Sequence, residues 1–590
     1  MRIYPVTDFL ETEICFLAEV DIRGTIYRFS SFPIEIDLDG GGVVFYPGLL
    51  SDPDFSQEIL EVGQIKLSSN SMSMALVFPF NVAARQMLGT GIDNARVNLS
   101  YVTVKKGQVE QTYQEIIDFF QGVIREPVYG HPDSDPGYVE FTIENEIYVN
   151  DTSLLKAING DLALFDNFPF SREVFEGAGQ LENIMINGIL TAENLHTGKT
   201  VPAVIGEPGQ TTKIDGSSIS YPATPAYIIG ADISAAPVEV FVVLAGHAVT
   251  ASTITLQDNR GNVSTGRTVY NGVGQQGQLF AYAFFQDTQL DFNVNDEGLQ
   301  YFARWVGGGG AVSPYNGNTL SGGGDLIVWA LDSLGMDFDR SAFEAVRPIL
   351  NEYKFAGYIN DIGIKIYEFL QKYIIPFLPV TLTTGAGGVY PVIDHRNTEL
   401  FLSPRISLEA NATFERISPV TPRQSEIINE LTVQYASGFE QTLNASVSDK
   451  SIGYNIEGNE YKGIVNIKAD RLETLNAPYE FVSPYCIISQ QRYGVQSSSI
   501  GLDYVHDRET AIKIGLDIIR RKSLPEKVCT YRAAFSFGYL SIGDVIELTD
   551  SDIGLSQSRV QIVGKRYDGA SWLYDIMFQE NPIDNVRDAI

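Results

Sequence analysis

The chain has 590 residues, with 41 basic against 73 acidic side chains and a net charge of −32. A single hydrophobic core rarely grows past about 250–300 residues, so several domains are expected, and the 44% hydrophobic content excludes wholesale disorder. The acidic balance excludes binding of DNA or anionic membrane through a general basic field; it serves either plain solubility or a surface that repels a polyanion.

From the N-terminus, Met1 to Cys15 carries Asp8, Glu11 and Glu13 and lacks the charged-then-apolar pattern of a signal peptide. Phe32, Ile34, Ile36 and Leu38 alternate with Ser31, Pro33, Glu35, Asp37 and Asp39, the period-two pattern of a strand with one wet face. Asp39-Gly-Gly-Gly42 breaks that run. Met72, Met74, Leu76 and Phe78 repeat the alternation, as do Val139, Phe141 and Ile143 against Glu140, Thr142 and Glu144. His131-Pro-Asp-Ser-Asp-Pro-Gly137 is turn chemistry between strands. Short antiparallel strands with Gly, Asp and Pro turns predict a barrel or sandwich.

From about 195 to 320 the chain is richer in Gly, Ser, Thr and Ala. Val238 to Leu244 is a β-prone apolar run, and Ser252 to Leu256 precedes the hairpin turn Asp258-Asn-Arg-Gly261. This reads as a second small β domain that ends at Gly307 to Gly310 and Gly322 to Gly324. Residues 325 to 375 are the most helical. Asp325 caps a predicted helix bearing Leu326, Trp329 and Ala330 and closing at Gly335; Asp339 or Ser341 opens another. Asp361 to Tyr373 places Ile362, Ile366, Phe369, Leu370 and Tyr373 at helical spacing, stopped by Pro376 and Pro379. Ile374 to Leu382 is the longest apolar run, too short to span a membrane.

The C-terminal part returns to β with one helix. Asp507 is its N-cap, and Ala511, Ile512, Gly515, Ile518 and Ile519 form its apolar stripe. Arg520, Arg521 and Lys522 sit at its negative end, before Pro525. Strands follow at Val528 to Phe537, Val545 to Leu548 and Arg559 to Val563. Trp572, Tyr574, Ile576 and Phe578 then alternate after Asp568-Gly569. There is no exact internal repeat, yet both ends read as β units of barrel size.

Site chemistry is sparse. Cys15, Cys486 and Cys529 are odd in number and widely spaced, which predicts buried thiols made in a reducing cytoplasm rather than a disulfide framework or zinc site. Gly272, Gly274 and Gly277 spell GxGxxG, but the aromatic run Leu279 to Phe285 that follows is β-prone, so a hairpin loop is expected instead of a dinucleotide site. His131, His196, His247, His395 and His506 are dispersed, and the Asp394-His395 pair stands alone, so no histidine metal site is expected. There is no GxSxG elbow. Asp133 and Asp135 read as a solvated turn in preference to a calcium loop. The 30 tyrosines read as core and interface more than as sugar platforms. No cofactor, metal or catalytic residue is assigned.

Leu540-Ser-Ile-Gly-Asp-Val-Ile-Glu-Leu548, with Gly543-Asp544 as the turn into a strand, resembles the second tube-like barrel of phage tail hub and tail-tip proteins. Asp118-Phe-Phe-Gln-Gly122-Val-Ile124 is similar to a "Phe-x-Gly-x-Ile" strand of that family's first barrel. Gly198-Lys-Thr-Val-Pro202-Ala-Val-Ile-Gly206 resembles its "Gly-Lys-x-Ile-Pro-x-x-x-Gly" segment, departing at Val201. Ala356-Gly-Tyr-Ile359 and Gly387-Gly-Val-Tyr390 resemble its inter-barrel region. The resemblance implies a mainly β (α+β) fold. Two tube-like β-barrel domains, 1–165 and 416–590, would flank a β-rich middle insertion domain with linker, 166–320, and a small helical/mixed region, 321–415. Gly122, Gly198, Pro202, Gly206, Gly543 and Asp544 are then structural motif residues.

It also implies a homotrimer whose six barrels form a pseudo-sixfold ring. That ring would dock on a distal tail or tail tube protein, a tape-measure protein and a tip or fibre protein, with DNA passing through unbound. The location would be the virion tail, assembled in the host cytoplasm. Two other classes are carried: a receptor- or glycan-binding adhesin using residues 195–320, and a hub fused to a cell-wall hydrolase.

Overall fold

The computed structural model describes residues 12–38, 41–49, 56–58, 72–77, 92–105, 112–113, 116–129, 138–144, 202–208, 211–214, 217–220, 224–232, 239–258, 263–273, 279–286, 301–306, 308–359, 365–385, 388–394, 404–423, 426–437, 461–468, 480–534, 537–568 and 571–578. The fold is mainly β, as expected from the alternating runs. No helix of the described residues is long and apolar enough to cross a membrane.

The first unit contains β1 (Thr12–Ile22), β2 (Thr25–Ser30), β3 (Ile34–Leu38), β4 (Gly41–Pro47), β5 (Ser56–Glu58), β6 (Met72–Val77), β7 (Arg96–Lys105), β8 (Thr112–Tyr113), β9 (Ile117–Tyr129) and β10 (Tyr138–Glu144). Nine of these form one sheet in the order β6-β10-β9-β7-β1-β2-β4-β3-β8. Strand β1 is apolar on both faces because both are covered. Phe16, Ala18 and Val20 enter one core, while Cys15 and Leu17 enter a second with Ile34, Phe45 and Val102.

Strand β11 (Ala203–Ile205) leads, past the hairpin β12 (Thr211–Ile214) and β13 (Ser217–Ser220), into a six-stranded closed barrel. Its strands are β14 (Thr224–Asp232), β15 (Glu239–Ala245), β16 (Thr253–Asp258), β17 (Val263–Val273), β18 (Leu279–Gln286) and β19 (Tyr301–Val306). Alternate residues such as Val242, Leu244, Ile254, Leu256 and Trp305 fill it. The Trp305 indole N–H donates to Thr224 Oγ1 at 3.0 Å, which satisfies its one polar atom.

The middle unit holds α1 (Gly323–Leu334), α2 (Arg340–Leu350), β20 (Gly357–Ile359), α3 (Ile366–Phe369) and the hairpin β21 (Val380–Gly385) and β22 (Gly388–Ile393). Helix α1 starts two residues before Asp325 and closes at Gly335, which is left-handed at φ 66°. Asp339, not Ser341, caps α2 by accepting from Ala342 N at 3.0 Å. After Phe369 the helix passes into a π turn and a 3-10 turn around Pro376. Asp361 and Ile362 lie outside the described residues.

Beyond 404 the chain builds two sheets. Strands β23 (Ser407–Glu409), β24 (Phe414–Arg416) and β25 (Thr421–Arg423) belong to the last unit. An α/β unit follows: β26 (Glu430–Ser437), β27 (Tyr461–Lys468), β28 (Glu480–Val482), α4 (Pro484–Tyr493), β29 (Ser497–Leu502) and α5 (Arg508–Lys522). The chain then returns through β30 (Glu526–Ala533), β31 (Val545–Asp550), β32 (Leu555–Tyr567) and β33 (Trp572–Phe578). Asp507 caps α5 as the sequence predicts, accepting from Thr510 N at 2.8 Å. The four-stranded sheet and α4 depart from the expectation of a β region with one helix.

A further departure concerns closure. The closed barrel is the middle insertion, whereas among the described residues the two flanking units are an open nine-stranded sheet and the eight-stranded sheet around β23-β31-β32-β33-β30-β24. Side chains also group the chain differently from its linear order. One core joins the middle unit to the α/β unit, with Leu326, Phe369 and Leu378 beside Val433, Ile467 and Ile514. Another joins the first and last sheets.

That second core is aromatic. Phe16 meets Tyr567 edge-on at 5.1 Å, and Tyr101 meets Trp572 at 5.4 Å, both between centroids. Strand β5 adds to the last sheet, pairing Ser56, Gln57 and Glu58 with Arg566, Lys565 and Gly564. Lys565 is buried there; its ammonium donates to the Gly538 carbonyl at 2.6 Å and lies 4.6 Å over the Trp572 ring. Burial pushes its pKa down to about 7. The unfolded chain titrates near 10.4, so it holds the extra proton between these values and stability rises with pH across that interval. Going from about pH 7 to about pH 8.5, Lys565→Met should lose about 1–2 kcal/mol of stability gain relative to the native chain. Urea unfolding of both proteins at each pH reads this difference; equal pH slopes would contradict it.

Candidate functional site

The family resemblance implies six structural motif positions. The structure places Pro202 and Gly206 at one junction, Gly543 and Asp544 at another, and Gly122 within β9; Gly198 lies outside the described residues.

The first junction is a neck, residues 202–208, that joins the barrel to the middle unit. Strand β11 alternates, and its two faces belong to different cores. Val204 packs into the barrel, while Ala203 and Ile205 pack into the helical core. Its backbone is held from both sides. Gly246 N donates to Pro202 O at 3.1 Å, Ala311 N to Val204 O at 2.9 Å and Gly206 N to Leu320 O at 2.7 Å. β11 pairs antiparallel with β20, matching Ala203 with Ile359 and Ile205 with Gly357. Gly206 ends the strand at φ 62°, and a Cβ there would stand 2.7 Å from the Phe355 carbonyl oxygen. The neck therefore needs glycine, which gives physical content to the "Gly-Lys-x-x-Pro-x-x-x-Gly" spacing.

Two histidines flank the neck. His247, in the loop after β15, accepts the Val204 N–H on Nε2 at 2.9 Å, and its Nδ1 lies 2.9 Å from Ala248 O. His506 lies on the other side, in a cleft of about 240 Å³ lined by Gly206, Glu207, Lys354, Phe355, His506 and Asp507 among others. Burial lowers the pKa of both, that of His506 to about 4. The remaining histidines, His131, His196 and His395, and the acidic pair Asp133 and Asp135 lie outside the described residues. Among the described residues no group of three or more His, Cys, Asp or Glu is placed to hold a metal ion. The three cysteines are buried and in no disulfide. Gly272 sits in β17 opposite Phe280 of β18, so the GxGxxG run leads into a strand; Gly274 and Gly277 lie outside the described residues.

The second junction is the Gly543-Asp544 turn, where the β21–β22 hairpin meets the last sheet. Gly543 has φ 89°, and a Cβ on it would lie 2.5 Å from Val392 Cγ2. Asp544 accepts Ser541 N at 2.7 Å, closing the turn, and pairs with Arg405 through both carboxylate oxygens. Tyr390 of the hairpin donates to Ile542 O at 3.0 Å.

This turn occurs twice. In the last unit Gly543 N donates to Ile562 O (2.8 Å), Ile562 N to Asp544 O (3.0 Å) and Asp544 N to Ser541 O (3.1 Å). In the first unit Asn94 N donates to Ile124 O (2.9 Å), Ile124 N to Ala95 O (2.9 Å) and Ala95 N to Ile92 O (3.0 Å). Asn94 takes the left-handed slot at φ 66°. The strands match as well. Leaving aside the two-residue β8, strands β6, β7, β9 and β10 lie in the order β7-β9-β10-β6, and β30, β31, β32 and β33 lie in the order β31-β32-β33-β30. All neighbours are antiparallel. The long strands β9 and β32 each have 13 residues. Each also carries one extra residue shortly after its matched isoleucine, Ile124 opposite Ile143 and Ile562 opposite Ile576. In β9 that irregularity holds Glu126, at φ 49°, and Pro127.

Sequence reasoning missed Asn94, His247, Arg405 and Lys565. For Asn94 a signal existed: Asn94-Ala95 precedes Arg96-Val-Asn-Leu99, just as Gly543-Asp544 precedes Val545-Ile-Glu-Leu548. The other three act through partners far away in the chain.

No family model matches the sequence, and no curated protein does. Among solved structures, the crystal structure of the tail protein from Neisseria meningitidis MC58 aligns over 96% of this chain and 97% of that chain, at 7% identity and a TM-score of 0.31.

Gly543→Ala should destabilise the chain by about 1–3 kcal/mol, through the left-handed backbone and the clash with Val392. Adding Val392→Ala should recover part of that loss, so a double-mutant cycle by chemical denaturation should give a coupling of about 0.5 kcal/mol or more. Additive effects would show that the turn and hairpin are not in contact.

Proposed function

We propose that the chain is a structural hub of a phage-type tail tip or baseplate, adapting a sixfold tail tube to a threefold tip and forming part of the DNA conduit and its gate. The doubled β motif carries this reading. One chain holds two units that share the order of four strands and the same turn, joined by a shared core. Three such chains around an axis present six similar units to a tube above and three whole chains to a tip below. The motif order at Gly122, Pro202, Gly206, Gly543 and Asp544 agrees with the same family. The partners are a distal tail or tail tube protein, a tape-measure protein and a tip or fibre protein, in the virion tail. The work is done by shape and symmetry, without covalent chemistry. The net charge of −32 suits a lumen through which DNA slides, since each phosphate held by Lys or Arg would add affinity.

One observation favours a second reading. The closed barrel has its own core, as a separable receptor- or glycan-binding module would. Glycan-array binding by the chain, lost on removing 224–306, would favour that adhesin role. Clearing of host peptidoglycan in a zymogram would favour a hydrolase.

For the hub, native mass spectrometry and class averages of the purified chain should show a threefold ring with an acidic lumen. A monomer at micromolar concentration, or a lumen lined by Lys and Arg, would sink the proposal.

A further inference from the structure

We propose that the neck is a proton-operated latch, in which protonation of His247 frees the barrel face of β11 and loosens the hold between the closed barrel and the middle unit. His247 touches three elements at once. It lies in the barrel, its Nε2 accepts the Val204 N–H of the neck, and its ring meets Trp329 of α1 at 6.1 Å in a T-shaped contact. With Nε2 accepting, the ring proton sits on Nδ1 and points to Ala248 O, so the imidazole is neutral and both nitrogens are used. A second proton has only Nε2 to occupy. There it would set one N–H against another, remove the acceptor of Val204 and bury a charge.

The groups that face His247 from the neck, from α1 and from its own loop are Val204, Trp329 and Ala248, none of them titratable. Burial favours the neutral ring, and the Ala248 carbonyl opposes it more weakly. His506 faces Glu207 of the neck, Lys354 before β20 and Asp507 at the start of α5 across the cleft. Burial favours its neutral ring, and a hydrogen bond with the Asp503 backbone opposes it more weakly. Both histidines are therefore neutral at neutral pH. Stability held by the neutral rings is complete above about 6.5 and is lost progressively as pH falls towards the folded-state values.

The neck is the place where such a loss becomes movement. Its strand is shared between two cores by alternate residues, so a broken bond at Val204 loosens the barrel face of β11 while Ala203 and Ile205 stay with the middle unit. This inference is independent of the hub proposal; it would hold for any role of the barrel.

Hydrogen exchange of the full chain, corrected for intrinsic rates, tests it at about pH 7.5 and about pH 4.5. Amides of 203–207 should lose roughly tenfold or more protection at the lower pH, the equivalent of one unit below the histidine value, while β32 and β26 keep theirs. His247→Gln offers an amide oxygen to Val204 N–H and does not titrate, so its neck should stay protected at both values. Unchanged neck protection in the native chain, or equal loss in His247→Gln, would overturn the latch. If the variant fails to fold, the native titration decides: a loss spread evenly over the chain, or no loss below pH ~6.5, also overturns it.

Discussion

The contact on which the rest depends is the aromatic seam between the first and last sheets. Phe16 and Tyr101 come from one end of the chain, Tyr567 and Trp572 from the other, and all except Tyr567 are fully buried. Such pairs contribute about 0.5–1.5 kcal/mol each beyond the area they bury. Their larger effect is geometric. They fix two like sheets side by side, and the described elements between β10 and β23 leave from that body and return to it. The closed barrel, the helices and the β21–β22 hairpin are therefore an excursion from a two-unit body. The arm β5 reinforces the seam by placing first-unit backbone on the edge of β32.

The excursion is tied back at two places by different physics. At the Gly543 turn, a hairpin is held by close packing of Val392 on a residue with no side chain and by Tyr390. At the neck, the connection is one strand whose two faces are claimed by two cores. A strand so divided transmits position well, because neither core can shift without losing contact with it. Beside it, the barrel residue Thr250 also bonds Gly309, Gly310 and Thr319.

Much of the architecture was readable from the chain. Alternation in Val139 to Glu144 and in Trp572 to Phe578, the caps at Asp339 and Asp507, and the Gly335 stop all specify local structure through near neighbours, and they correspond to observed elements. What was illegible is non-local. The repeat is written in backbone hydrogen bonds, and its two copies use different residues for the same slot, Asn94 in one and Gly543 in the other. Helix α4 has a weak apolar stripe in Pro484 to Tyr493, interrupted by Ser489, Gln490 and Gln491, so periodicity does not announce it. Lys565 reads as a surface charge in an alternating strand; only the seam makes it a buried amine. The neck segment stands out in the sequence only through its resemblance to a family segment, and its pairing with His247 depends on a loop 43 residues away.

The irregularity in β9 has a consequence for how copies of this chain meet. In β32 the stretch after the matched isoleucine accepts β5 as an added strand. The like stretch in β9 runs through Glu126, Pro127 and Val128, and Val128 is 61% exposed. Among the described residues no strand pairs there on the β7 side. Two like sheets in one chain invite an arm meant for one to settle on the other in a neighbouring molecule, and a repeating contact of that kind grows without end. Pro127 has no N–H to offer, and the left-handed Glu126 turns the backbone out of register, so the ladder has no place to start. Among the described strands the arm therefore has one seat, on β32, and the matching stretch of β9 does not offer a second.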